Sequence, residues 1–211
     1  MAAGRAVRIP AGQAILEGNL VIPKGAKGLV IFAHGSGSSR LSPRNMFVAG
    51  ELQKRKMATL LFDLLTEQED QRYENRFNIE LLAGRLIAAT EWAMRRPESG
   101  KLKVGYFGAS TGSAAALIAA AKMGAGIRAV VSRGGRPDLA MQALPFVDAP
   151  VLLIVGGNDH EVIGMNETAF ARLKCEKKLK IVPGATHLFE EPGALEAVAQ
   201  LAADWFSRCL K

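Results

Sequence analysis

A chain of 211 residues is long enough for one domain with a buried core. Its composition, 49% hydrophobic and 22% charged, is that of a globular protein and excludes a disordered or low-complexity chain. The formal charge of +7 raises nucleic acid and anionic membranes as partners, but the basic residues are scattered and clusters such as Lys54-Arg55-Lys56 and Lys177-Lys178 are short, so neither partner is expected.

The N-terminal residues, MAAGRAVRIP, lack the apolar stretch and cleavage site of a secretory signal. Val7 and Ile9, then Ile15, Leu16, Leu20, Val21 and Ile22, form apolar patches broken by Pro10, Gly12 and Gly18, which predicts a strand hairpin. Gly28 to Ala33, GLVIFA, is a continuous apolar run suited to a strand covered on both faces. It ends abruptly at HGSGSS. A helix is predicted from about Pro43 to Lys56, with Ser42 as its cap, then a strand from Ala58 to Leu64. After a polar stretch, Ile79, Leu82, Leu86, Ala89 and Ala93 recur at helical spacing, and Pro97 and Gly100 end that helix. Strand KVGYFG leads into an alanine-rich helix, then strands IRAVVS and APVLLIVGG. A helix from about Gly164 to Lys174, strand KLKIVPG and a last helix complete the chain. That helix puts Leu195, Val198, Leu201, Ala202, Trp205, Phe206 and Cys209 on one face. Cys175 and Cys209 have neither metal-ligand spacing nor the density of a disulfide framework, so a reduced, cytoplasmic setting without metal or cofactor is expected. No apolar run reaches the roughly 18 residues of a membrane span.

Strands alternating with helices make an α/β fold, a single domain over residues 1–211 with a mostly parallel sheet of about seven or eight strands. Right-handed crossovers set the strand ends that precede helices on one rim of the sheet, where chemistry is to be sought.

Strand KVGYFG runs into Gly108-Ala109-Ser110-Thr111-Gly112, the spacing of a nucleophile elbow. The pentapeptide alone is weak and could be a glycine turn with a serine cap. The strand before it and the helix formers after it are what the motif requires. A serine hydroxyl needs a base, and the chain has three histidines, His34, His160 and His187. Only His187, in GATHLF beyond the last strand, has both the elbow and an acid upstream. Asp159, in GGNDH at the preceding strand end, is the favoured acid, with Asp138 and Glu161 as rivals. The backbone N–H groups of Thr111 and Ser36 are the expected oxyanion donors, Ser36 lying in the glycine-bearing HGSGSS loop. That loop lacks the Lys-Ser/Thr ending of a phosphate-binding P-loop and does not match the dinucleotide fingerprint.

HGSGSS, GASTG, GGNDH and GATH, in this order and spacing, resemble the dienelactone-hydrolase-like branch of the α/β-hydrolase superfamily from about Gly28 to the C-terminus. The resemblance implies that Ser110, Asp159 and His187 form a triad. Two positions depart from the family: its cysteine nucleophile is replaced by Ser110, and Gly35 stands where its activating glutamate belongs. A general serine carboxylesterase is therefore expected rather than a dienelactone-specific enzyme. Small relatives with an HGSGSS-type loop also occur fused to phosphoribosyltransferase domains, and no such domain is expected here.

Only about seventeen residues, Arg133 to Ala149, separate two strands where this fold often inserts a lid. A lidless site for small or short-acyl esters follows. Arg40, Arg44, Arg133 and Arg136 could reach the rim. They would bind an anionic substrate or, the preferred expectation, pair with Glu67, Glu69, Asp70 or Asp138. The same machinery would serve a thioesterase or lactonase, and a small-molecule receptor with little turnover is the alternative of another class.

Overall fold

Continuous apolar runs need cover on both faces, and the chain supplies it with helices on either side of one eight-stranded sheet. The computed structural model describes residues 4–211. Strands β1 (Arg5–Ala11) and β2 (Ala14–Val21) form the expected antiparallel hairpin, Ala11 facing Ala14 across a two-residue turn. β2 then pairs antiparallel with β4 (Met57–Phe62). The remaining strands are parallel: β3 (Gly28–Ala33), β5 (Lys103–Ala109), β6 (Ile127–Arg133), β7 (Val151–Gly156) and β8 (Lys177–Val182). Their order across the sheet is β1-β2-β4-β3-β5-β6-β7-β8. From β3 the chain goes to β4 on one side and later to β5 on the other, so strand order reverses between β3 and β5. The crevice at such a reversal is the usual ligand site of an open α/β sheet.

Every residue of β3, β4 and β7 is buried. β8, at the edge, alternates and carries Lys177, Lys178 and Lys180, charges that discourage pairing with another chain. Helices α1 (Pro43–Lys54) and α6 (Ala194–Cys209) cover one face through Val48, Leu52, Val198, Ala202 and Phe206, over Phe32, Phe107 and Val131. On the other face lie α3 (Ile79–Met94), α4 (Thr111–Met123) and α5 (His160–Arg172), with Leu82, Leu86, Leu117 and Ala169 on Ile31, Tyr106 and Val130. Each large apolar side chain buried this way contributes about 1.5–3 kcal/mol. α4 is buried nearly all round from Thr111 to Ala120, which is why it is alanine-rich rather than amphipathic.

One helix start is revised, and two segments whose form the periodicity left open take definite shape. Helix α5 begins at His160, four residues before the predicted start at Gly164. Buried Val162 anchors the added turn, while Gly164 faces open space and does not break the helix. The polar stretch before α3 is ordered, as a short helix α2 (Glu67–Asp70) with a reciprocal Thr66–Glu69 capping box, then a 3-10 turn over Tyr73–Phe77. Asp138 lies in a 3-10 turn over Pro137–Ala140. Between β6 and β7 there are only this turn and another at Leu144–Phe146, and no lid domain. No helix among the described residues is long and apolar enough to cross a membrane.

Candidate active site

The elbow is built by a strand that ends in the sheet and a helix that starts immediately. Ser110 joins β5 to α4 at φ 50° and ψ −123°. For a serine this is a strained conformation, costing of order 1–3 kcal/mol, and it persists because its surroundings fix it. Its N–H donates to the Arg133 carbonyl at 3.2 Å, and its own carbonyl accepts from Ser113 N–H at 3.0 Å and Arg136 N–H at 3.1 Å. The helix comes so close to the end of β3 that a Cβ on Gly112 would lie 2.2 Å from the Ala33 carbonyl oxygen. Glycine is obligatory there. Ser110 is left partly exposed at the helix N-terminus, where the dipole favours developing negative charge.

Asp159 follows β7 and His187 follows β8, and the two loops are fastened together. Gly157 N–H donates to the Val182 carbonyl at 2.8 Å, and Asn158 N–H to the Ala185 carbonyl at 2.9 Å. A Cβ on Gly156 would lie 2.4 Å from the Ala185 carbonyl oxygen, so the loops could not approach with any other residue there. The result is a 2.7 Å bond from His187 Nδ1 to Asp159 Oδ2, with the carboxylate side chain 15% exposed and the imidazole 38%. Further support comes from Glu191, whose Oε1 accepts from both the N–H and the hydroxyl of Thr186 at 3.1 and 2.6 Å. The Thr186 hydroxyl holds the Glu191 carboxyl below its ordinary range, so it remains a firm acceptor. Nothing in the sequence pattern flags this clasp, because a threonine and a glutamate five residues apart match no motif.

The rival assignments are taken up elsewhere. Asp138 binds Arg136, with contacts of 2.8 and 2.9 Å, and Glu161 lies in the exposed first turn of α5. His160 is exposed at the start of the same helix. His34 commits both ring nitrogens to backbone: Nδ1–H donates to the Gly35 carbonyl at 2.9 Å, and Nε2 accepts from Leu64 N–H at 3.1 Å. Enclosure of its ring pushes its pKa down, keeping it neutral.

His187 approaches β6 beside the elbow: a Cβ on Gly134 would lie 3.5 Å from His187 Cε1. Among the described residues, no hydrogen bond joins His187 to Ser110 Oγ. The expected oxyanion pair is also not free as the sequence reading has it. Ser36 N–H donates to Thr111 Oγ1 at 2.9 Å. Helical Cβ atoms tilt toward the N-terminus, so the side chain of the first residue of α4 falls over the loop after β3. Thr111 N–H, in that first turn, has no intrahelical acceptor.

The arginines divide. Arg40 pairs with Asp63, through backbone and guanidinium, and with Glu17 at 2.9 Å. Arg44 pairs with Glu190 at 2.9 Å and Arg136 with Asp138. Structural pairing therefore holds for these three, although for Arg40 and Arg44 the partners are not the predicted ones. Arg133 pairs with no carboxylate among the described residues. No group of three or more His, Cys, Asp or Glu among them could hold a metal ion. A groove of about 580 Å³ lies elsewhere, along Ile118, Lys122, Leu139, Met141 and Phe146. Ile118 to Lys122 are about 10–16 Å down α4 from its start, so the groove is remote from Ser110.

The dienelactone hydrolase family model matches residues 18–211. The chain is similar to a dienelactone hydrolase of known crystal structure from Anabaena variabilis, with 58% identity, a TM-score of 0.97 and coverage of 100% of this chain and 99% of that one. Est1E from Butyrivibrio proteoclasticus shares the fold at 17% identity and a TM-score of 0.81, covering 97% of this chain and 100% of that one. So does the Pyrococcus furiosus esterase Pf2001, at 17% identity and a TM-score of 0.77, over 100% and 94%. Two Mycobacterium tuberculosis proteins, provisionally named phosphoribosyl transferases, are 56% identical over 200 residues, which is 95% of this chain and 45% of theirs. The chain thus spans less than half the length of these curated relatives. With its eight-stranded, mostly parallel sheet flanked by helices, the chain has the α/β-hydrolase fold and belongs to the dienelactone hydrolase family.

Proposed function

We propose that this chain is a serine hydrolase that cleaves small or short-acyl carboxylic esters through an acyl-enzyme on Ser110. The observation that carries this reading is the 2.7 Å bond between Asp159 and His187, on the rim where β5 turns into α4 at Ser110. Asp159 holds the proton on Nδ1, leaving Nε2 as the basic nitrogen. As Ser110 Oγ adds to the ester carbonyl, Nε2 takes its proton. His187 then returns that proton to the departing alcohol, and water repeats the sequence to release the acid. The Ser110–His187 hydrogen bond forms in the substrate complex, as such contacts commonly tighten there.

Thr111 N–H and Ser36 N–H receive the developing oxyanion. In the resting site the Thr111 hydroxyl stands in for that oxygen at Ser36, and an incoming carbonyl displaces it. A donor of this kind contributes about 10²–10³ in rate. The absence of a lid domain between β6 and β7 supports small or short-acyl substrates. A fluorophosphonate probe should label the wild type and not Ser110→Ala, and a chain-length series of p-nitrophenyl esters should fall off with length. Preference for acyl chains beyond about ten carbons would overturn the substrate reading.

A second reading is lactone hydrolysis by the same residues, which the 58% identity to a protein named dienelactone hydrolase favours. A panel of esters, thioesters and lactones ranked by kcat/KM decides between the two.

A further inference from the structure

The turn that follows β6 is gripped from several sides. Gly134 N–H donates to the Ile154 carbonyl on β7 at 2.8 Å, and a Cβ on Gly134 would lie 3.1 Å from the His187 carbonyl oxygen. Gly135 is enclosed by the buried hydroxyls of Ser113 and Ser132: a Cβ there would lie 2.5 Å from Ser113 Oγ and closer still to Ser132 Oγ. The peptide between Gly135 and Arg136 has both of its polar groups engaged. Its N–H, on Arg136, donates to the Ser110 carbonyl at 3.1 Å, and its C=O, on Gly135, accepts from Asn166 Nδ2 at 3.0 Å. One peptide unit thus joins an asparagine side chain to the backbone of the strained elbow residue, and hydrogen bonds in such a series polarise one another.

Asn166 lies in α5, the helix that opens just after Asp159. The Asp159 carbonyl accepts Ile163 N–H at 2.9 Å, which fixes that residue to the helix, while its carboxylate goes to His187 rather than capping α5. Seven residues fall about 20° short of two full turns, so Asp159 and Asn166 share a face, about 10 Å apart along the axis. Asn166 is wholly enclosed, and its amide nitrogen also donates to the Val162 carbonyl at 2.8 Å. Both acceptors are carbonyl oxygens, so the amide must present its nitrogen to them. The Oδ1 left over is buried and accepts from no group among the described residues. Burying such an acceptor costs stability, and leucine would fill a similar volume without it. Packing alone gives no reason for an asparagine here.

We propose that Asn166 is a positioning residue for Ser110: through the Gly135–Arg136 peptide it ties the helix that follows Asp159 to the elbow, and so keeps nucleophile, base and acid in register. As a role in catalysis this depends on the reading of Ser110, His187 and Asp159 as the reacting groups. The Ser110 backbone has three anchors, its N–H on the Arg133 carbonyl and its carbonyl under Ser113 N–H and Arg136 N–H. Without Asn166 the third is no longer fixed, and Ser110 Oγ drifts relative to His187. A misplacement of about 1 Å can cost about 10²-fold in rate. Asn166 touches no substrate and moves no proton, so its loss falls on kcat and leaves KM alone.

The test measures kcat and KM for p-nitrophenyl butyrate at about pH 6 on the full chain, beside hydrogen–deuterium exchange at Arg136 N–H. Asn166→Leu, which removes the donor and keeps the bulk, should lower kcat by about tenfold or more with KM within about twofold, and should speed exchange at Arg136. Asn166→Asp should rescue. Its enclosed carboxyl keeps its proton at that pH and offers an O–H to the same carbonyl, so kcat should stay within about threefold of wild type. An unchanged kcat or unchanged exchange in Asn166→Leu overturns the inference, and so does a loss carried by KM. Equal losses in the leucine and aspartate variants also overturn it, because they would make the side chain a packing element only. If Asn166→Leu does not fold, Asn166→Ser carries both readouts, since a serine hydroxyl reaches the Val162 carbonyl one turn back but not Gly135. If the wild type turns over no ester and yet exchange at Arg136 quickens in Asn166→Leu, the tie stands and the hydrolase reading falls. If esters are cleaved and kcat is unchanged, the hydrolase reading stands and the positioning role falls.

Discussion

The loop after β3 and the loop after β8 each place a histidine on the same rim of the sheet, and the two histidines are put to opposite uses. His34 gives Nδ1–H to the Gly35 carbonyl and takes Leu64 N–H on Nε2, so neither nitrogen remains for chemistry. His187 gives one nitrogen to Asp159 and keeps the other, with 38% of its side chain exposed. The lesson is that a strand-end position makes a histidine available, and the second hydrogen bond decides its role. Two backbone partners make a strut that shapes the loop after β3, whereas one carboxylate partner leaves a ring nitrogen for the base proposed above.

The comparison is tested hardest at His187. His187→Ala should lower kcat/KM on a short ester by about 10⁴-fold or more. Its melting temperature should move by less than about 2 °C, since the side chain is half-exposed. Asp159→Asn should follow, with a loss of about 10⁴-fold in kcat, because an amide can hold the ring in the wrong tautomer. Steady-state kinetics beside thermal melts check both. Full activity in either variant would break the contrast by removing His187 from the chemistry.

His34→Ala should do the reverse and act first on stability. It leaves Leu64 N–H without its partner, at about 1–3 kcal/mol, or roughly 2–12 °C in melting temperature for a chain of this size. The pH dependence has a definite sign. Burial lowers the pKa of His34 below its ordinary 6.5, so the folded state resists protonation that the unfolded state accepts. Stability from neutral His34 is fully present above pH 6.5 and is lost as pH falls toward the lowered value. The advantage of wild type over His34→Ala should therefore shrink between pH 7.5 and pH 5. A gap that widened on acidification would contradict the strut assignment.

Much of this arrangement was legible in the sequence, because it rests on local pattern. The apolar runs GLVIFA and VLLIVG become buried strands, and the GASTG spacing survives because Gly112 must pass the Ala33 carbonyl. Asp159 rather than Asp138 could be favoured from its strand end alone. What stayed hidden depends on contacts between distant segments. That Arg40 is neutralised by Asp63 and Glu17 while Arg133 has no carboxylate follows from which loops meet, and charge spacing along the chain does not reveal it. The start of α5 at His160 was hidden because Gly164 reads as a helix boundary, yet tertiary packing of Val162 outweighs a glycine penalty of about 1 kcal/mol.

The smallest expected effect separates the two halves of the His34 loop, its fixed end at His34 and the proposed working end at Ser36. Thr111→Val removes the hydroxyl that Ser36 N–H now meets at 2.9 Å but keeps Thr111 N–H and the β-branched shape. Ser36 is exposed, so water can replace the lost acceptor and the stability cost should stay near 0.5–1.5 kcal/mol, about 1–6 °C in melting temperature. On the displacement reading, a carbonyl oxygen no longer competes with that hydroxyl, so kcat/KM should hold or rise within about threefold. A fall of about 10²–10³ would instead mean that the hydroxyl aims the loop, or takes part in holding the oxyanion itself. The working end would then depend on Thr111 as the fixed end depends on His34, and the division between strut and machinery would have to be drawn inside α4 rather than along the loop after β3.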